Sequence, residues 1–185
     1  SVSVFEQLAA SRTKVEKRYH AHKFIAYFQN YTNTFLPLDR LLGYMEEASK
    51  VEDIVEISIS TRPDCIRQDY LEAFYEFSSR TGIEVSIELG LQTVNYHTLM
   101  DMNRGHGLAE FIDAVLRIAP YHFPVCVHMI LNLPGDTMDD AEESARILST
   151  LPISMVKLHS LYIPKQCELY DKYIRGEIEI CPKEE

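Results

Sequence analysis

No two of the four cysteines stand close together. Cys65, Cys126, Cys167 and Cys181 are scattered along the chain, which excludes a thiolate metal site built within one loop and fits reduced thiols in a cytoplasmic protein. There is no basic-then-apolar leader, and no apolar run approaches the ~20 residues of a membrane span. Glycine is scarce, at seven residues. No glycine-rich phosphate loop follows the first apolar strand, since Gly105-His106-Gly107 follows a helical segment, and this argues against a doubly wound nucleotide-binding sheet. Basic residues are also few: 18 against 28 acidic ones give a formal net charge of −10. Whole-surface binding to duplex nucleic acid is thereby disfavoured. One local basic patch remains, from Arg12 to Lys23, with Lys14, Lys17, Arg18, His20 and His22 opposed only by Glu16. It reads as a solvated helix face, with a polyanion contact as the sharper alternative.

What is present is a core-forming chain: 185 residues, 46% hydrophobic, enough for one globular domain. Ser3 and Glu6 have capping-box spacing ahead of Phe5, Leu8 and Val15, so residues 1–22 are assigned to an amphipathic helix, ending near Tyr19. From Lys23 onward short apolar strands alternate with helical periodicity. The strands begin at Phe24, Ile54, Glu84, Val125 and Met155, and after the fifth, ending near Tyr162, a short charged tail is expected. Such alternation makes parallel βαβ units. Residues 23–185 therefore read as a partial parallel (β/α) barrel of about five to six strands, short of the eight of a complete one.

Polar residues gather where each strand ends, which is where barrel enzymes place their chemistry. Gln29, Asn30, Thr32 and Asn33 follow the first strand, and Ser60 and Arg62 close the second. Glu88 and Gln92 belong to the third, His128 and Asn132 to the fourth, His159 to the fifth. On a regular strand Glu88, Gly90 and Gln92 share one face, as do Cys126, His128, Ile130 and Asn132. These faces are expected to line a common pocket. The centre of the pattern is Glu84 to His106, an alternating strand that delivers Gly90, Gln92 and Thr93 to its end beside Arg104. Asn95 is placed to cap the helix after it.

LGLQT followed by NRGH, then CVHMILNLPGDT, together with ISTRPDCI and FQNYTNT, resembles the radical S-adenosylmethionine superfamily. The nearest branch is the Fe–S oxidoreductases related to the catalytic subunit of the Elongator tRNA acetyltransferase. The resemblance runs from about Lys23 to Tyr173. It implies a partial (β/α)₆ barrel and a [4Fe–4S] cluster that chelates S-adenosylmethionine, whose reductive cleavage yields a 5′-deoxyadenosyl radical. By the same resemblance, Gln29, Asn30 and Thr32 fall where relatives contact the methionyl amino group, without the usual glycines. Ser60 falls where a ribose-binding Glu is common, and His128 near the ribose. Gln92 matches the amide facing the methionine moiety and Arg104 the arginine on its carboxylate. Asn132, Pro134 and Gly135 match the segment beside the adenine. The family's CxxxCxxC motif is absent, so the chain is expected to be part of a longer radical enzyme, entering after its first strand and cluster loop. The rival is a degenerate relative that never held a cluster.

Two other classes fit the residues. A divalent-metal barrel lyase would use Glu88, His128 and His159 around one ion. A non-catalytic module would bind RNA, tRNA included, through Arg12 to Lys23. The first strand, Phe24 to Phe28, is expected to be an edge that the opening helix covers or a second chain pairs with.

Overall fold

A computed structural model describes residues 2–179; Cys181 lies outside them. Five strands, β1 (Phe24–Phe28), β2 (Ile54–Thr61), β3 (Glu84–Gln92), β4 (Val125–Leu131) and β5 (Met155–Ser160), form one sheet in sequence order. Every neighbouring pair is parallel. The connecting helices are α2 (Leu38–Ser49), α3 (Gln68–Thr81), α4 (Tyr96–Asp101), α5 (Leu108–Ile118) and α6 (Met138–Thr150), preceded by α1 (Val4–Tyr19) and followed by α7 (Glu168–Ile174). The charged segment after β5 is thus not merely a tail: it holds a short helix starting at Glu168. Among the described residues no helix is long and apolar enough to cross a membrane.

The two faces of the sheet differ in chemistry. Phe24, Ala26, Ile57, Ile59, Val85, Ile87, Leu89, Val127 and Met129 point to the helices, packing with Leu41, Met45, Leu71, Phe74, Phe111 and Val115 in one core. Truncation here leaves a void that a packed interior fills poorly. Leu89→Ala, at a side chain with no exposure, should lower unfolding free energy by about 2–5 kcal/mol, readable as a lower urea midpoint at constant slope.

Alternate residues point the other way and are mostly polar: Tyr27, Glu56, Ser58, Ser60, Ser86, Glu88, His128 and Lys157, with Ile25 and Cys126 among them. That face is concave. In a flat sheet β1 and β5 would lie about 19 Å apart, four strand spacings, yet the Lys157 ammonium sits 5.0 Å from the centre of the Tyr27 ring. The sheet curls into half a barrel, and side chains of its outermost strands meet across the hollow.

The opening helix is capped as its sequence requires, Ser3 and Glu6 bonding reciprocally. It docks beside α2, where Glu47 accepts from the backbone N–H of Val4 at 2.8 Å. Arg12 turns inward to Asp53 at 2.5 Å and over the Phe24 ring. The concave side of β1 stays open, with Ile25 and Tyr27 exposed.

Candidate functional site

The C-terminal strand ends form a rim, and polar side chains converge on it around Gly90. β3 is not regular to its end: the register shifts between Gly90 and Gln92, and Gln92 takes a left-handed φ of 76°. The even-spaced face expected for Glu88, Gly90 and Gln92 is therefore broken in backbone terms. The turn nevertheless folds the Gln92 side chain back over Gly90. A Cβ at Gly90 would lie 2.7 Å from Gln92 Nε2 and 3.3 Å from Arg104 Nη2.

Arg104 is delivered by a tight turn after α4. Asn95 caps α4, accepting from His97 N–H at 3.0 Å. The helix ends at Asp101, before Gly105, and Asn103 and Gly105 flank Arg104 with φ of 50° and 72°. Glycine suits position 105 because of its left-handed φ of 72°, and a Cβ there would also lie 2.6 Å from Arg62 Nη2. Arg62 is held by Asp64, so the second strand's end and the NRGH turn brace each other. Arg104 itself is half-buried. Among the described residues its side chain makes one hydrogen bond, a long one of 3.4 Å from Nη2 to the carbonyl of Gly90, and its Nε is buried without a partner. Burial and the nearby Arg62 push its pKa down. A buried guanidinium without a carboxylate is costly, and a bound carboxylate would satisfy it in a bidentate fork.

Other residues expected at the site share this rim. Asn33, buried, donates to the carbonyls of Phe28 and Ser60 at 2.7 and 2.8 Å, tying the ends of β1 and β2 together. Gln29 and Asn30 are exposed and Thr32 is half-buried. Ser60 stands opposite Glu88 in register, and His128 opposite Gly90. Asn132 is exposed with φ of 59°. Pro134 and Gly135 follow it in a turn pinned to α4, where Thr98 donates to Asp136 at 2.6 Å. His106, next in the turn after Gly105, is buried with both ring nitrogens unpaired. Burial, then Arg104, push its pKa down, favouring the neutral ring.

Beneath the rim lies a cluster that sequence reasoning only partly found. The Glu88 carboxylate accepts four hydrogen bonds: Tyr27 at 2.7 Å, Ser58 at 3.1 Å, His128 Nε2 at 2.5 Å and Lys157 at 2.5 Å. Its donors come from β1, β2, β4 and β5. Burial opposes its ionisation, but Lys157, Tyr27 and His128 outweigh that and hold its pKa at about 2. Tyr27 is pushed up by burial and by the same carboxylate. Tyr27, Ser58 and Lys157 were not singled out beforehand; their alternation with core residues was the available signal.

The metal-lyase arrangement does not survive this geometry. Glu88, Cys126 and His128 do approach one another, but four donors saturate the lone pairs of the carboxylate, and the Lys157 ammonium stands where a cation would. His159 contacts His128 at 2.8 Å and not Glu88.

With its curled sheet of five parallel strands and polar rim of strand ends, the fold is an incomplete parallel (β/α) barrel. The chain belongs to the Radical SAM superfamily, which residues 12–148 match, SAM being S-adenosylmethionine. It is similar to uncharacterised protein YtqA of Bacillus subtilis, at 32% identity over 174 residues, covering 94% of this chain and 53% of that one. It is 26% identical over 149 residues to a tRNA uridine(34) acetyltransferase of Methanocaldococcus jannaschii, covering 76% of this chain and 27% of that one. The fold matches the structure of Methanocaldococcus infernus Elp3 with an N-terminal deletion, at a TM-score of 0.80 and 22% identity, covering 97% of this chain and 46% of the other. The chain spans about half the length of the first curated relatives it matches.

Of the two groups this family implies, the residues suit one. Arg104, with its orphaned Nε, and the Gln92 amide beside it over Gly90 fit the amino-acid end of S-adenosylmethionine. The cluster does not fit: an open-iron [4Fe–4S] centre takes three thiolates, whereas Cys65, Cys126 and Cys167 lie in separate parts of the fold and no group of three cysteines gathers among the described residues. After anaerobic reconstitution and desalting, these 185 residues should retain no stoichiometric iron or sulfide. Four of each per chain, with charge-transfer absorption, would overturn that.

Proposed function

We propose that this chain forms the S-adenosylmethionine-binding wall of a radical enzyme, with the cofactor's carboxylate on Arg104 and its methionine moiety beside Gln92. The observation that carries it is the convergence of these two side chains over Gly90, one of them a half-buried cation that makes no salt bridge among the described residues and whose Nε has no hydrogen-bond partner. Gln29, Asn30 and Thr32 would face the amino group, Ser60 and His128 the ribose, and Asn132, Pro134 and Gly135 the adenine. Bound S-adenosylmethionine supplies, when reduced by a cluster, a carbon radical that takes hydrogen from the substrate. This chain's own residues do the remaining work: they orient the cofactor, keep the carboxylate paired and line the reaction hollow.

The substrate is left to the chemistry of the hollow. One relative is named for tRNA, but the basic face of α1 gives little support to an RNA contact here. Arg12 is engaged with Asp53, leaving Lys14, Lys17 and Arg18 on the helix, with Lys23 beyond its end, on a chain of net charge −10. We read that face as solvated.

Binding of S-adenosylmethionine to N and not to the unfolded chain raises the melting temperature by mass action. We expect such a shift with S-adenosylmethionine and a much smaller one with its decarboxylated form. Equal shifts with both would remove the carboxylate from the account of the site, and no shift with either would remove the site.

A further inference from the structure

The cluster below the rim has a direction built into it. Glu88 is ionised and can only accept, so His128 Nε2 at 2.5 Å must donate to it. In the neutral ring Nδ1 is then an acceptor, and its neighbour at 2.8 Å is Nε2 of His159. His159 Nε2 therefore carries a proton and donates. What remains is the His159 Nδ1 lone pair, on an exposed ring at the open end of β5. Each hydrogen bond fixes the tautomer of the next ring, as a carboxylate does in any carboxylate–histidine pair.

From this order of hydrogen bonds we propose that Glu88, His128 and His159 form a proton-accepting chain serving the substrate of the barrel, with His159 Nδ1 as its entry. The ligand it suits presents an ionisable O–H or N–H to the mouth of the hollow. In the step, that proton passes to His159 Nδ1, the O–H or N–H bond breaks with its electron pair left on the ligand, and the imidazolium faces the resulting anion. His128 and Glu88 are positioning residues: they hold the acceptor side outward and, through Glu88, oppose the new positive charge. The groups around the chain leave this polarity intact. Tyr27 from β1, Ser58 from β2 and Lys157 from β5 all donate to Glu88 and keep it ionised. Cys126 from β4 is pushed by burial, then by Glu88, towards its neutral thiol. The proposal takes from the functional reading only that this face lines the reaction hollow. Its test needs no S-adenosylmethionine, so the two fail separately.

Histidine-selective 15N NMR on the intact chain at neutral pH reads tautomers directly. We expect both His128 and His159 as the Nε2–H form. Glu88→Gln replaces the acceptor by an amide that can donate to His128 Nε2. Both rings should then switch to Nδ1–H, and carbethoxylation of His159 by diethylpyrocarbonate, which needs a free ring lone pair, should slow at its Nδ1 by about tenfold. His159→Gln, at an exposed position, guards against misfolding of the first variant: the His128 nitrogens should shift while its Nε2–H form persists. Nδ1–H tautomers in the native chain, or a His128 signal indifferent to His159→Gln, would overturn the proposal.

Discussion

Arg104→Lys should weaken S-adenosylmethionine binding by ten- to a hundred-fold while leaving the melting temperature of the free protein unchanged or raised. The substitution keeps the positive charge but loses the planar fork that pairs two N–H groups with a carboxylate. A charge-assisted contact of this kind is worth about 1.5–3 kcal/mol, which sets the size of the effect. The stability side follows from the free protein. Arg104 has one 3.4 Å hydrogen bond, to the Gly90 carbonyl, and a buried Nε with no partner, so little native-state bonding is lost. Arg104→Ala should go further on binding, since the cation is also gone. Isothermal titration on the wild type and both variants checks the order. Equal affinity in all three would take Arg104 out of the site.

The second large effect belongs to Glu88. Glu88→Ala removes the acceptor of four donors and leaves the Lys157 ammonium without its counter-charge. Glu88 is buried but the Lys157 side chain is 37% exposed, so solvent screens the freed ammonium and the loss should fall below the about 3–5 kcal/mol of breaking a fully buried pair, still enough to lower the urea midpoint. The pH dependence has a definite sign. The folded pKa of about 2 lies below the ordinary value of 4.5, so this group's contribution is full above pH 4.5 and is lost as pH falls towards 2. The stability gap between wild type and Glu88→Gln should close across that window. A gap that widens on acidification would mean that Glu88 is protonated in the native state.

Much of the fold was legible because each strand advertises itself the same way, an apolar run ending in a polar cluster. FIAYF before Gln29 and CVHMIL before Asn132 both became strands at those positions. The incomplete parallel barrel followed from their alternation with helices. The helix from Glu168 was missed because ELYDKYI is short and charged, and its periodicity is indistinct. At the candidate site, parity put Glu88, Gln92 and His128 near strand ends and the family resemblance put Arg104 beside Gln92; in the structure Gln92 and Arg104 do converge over Gly90. Parity failed at Gln92, since a positive φ cannot be read from residue alternation. Lys157 and Tyr27 were passed over for a physical reason: a lysine on an edge strand and a tyrosine in an apolar run each have an unremarkable explanation. They acquire a shared partner only when the sheet curls, and curl is a property of five strands together.

The central claim, that the C-terminal rim around Gly90 binds S-adenosylmethionine, is tested most directly by mapping 1H–15N shift changes on titration with the cofactor. We expect the backbone amides of Gly90, Gln92, Arg104 and Gly135 and the Arg104 Nε–H to move together in one saturable step, while the exposed basic residues of α1 stay still. Changes centred on Lys14 to Lys23, or a rim that does not respond at saturating cofactor, would contradict it.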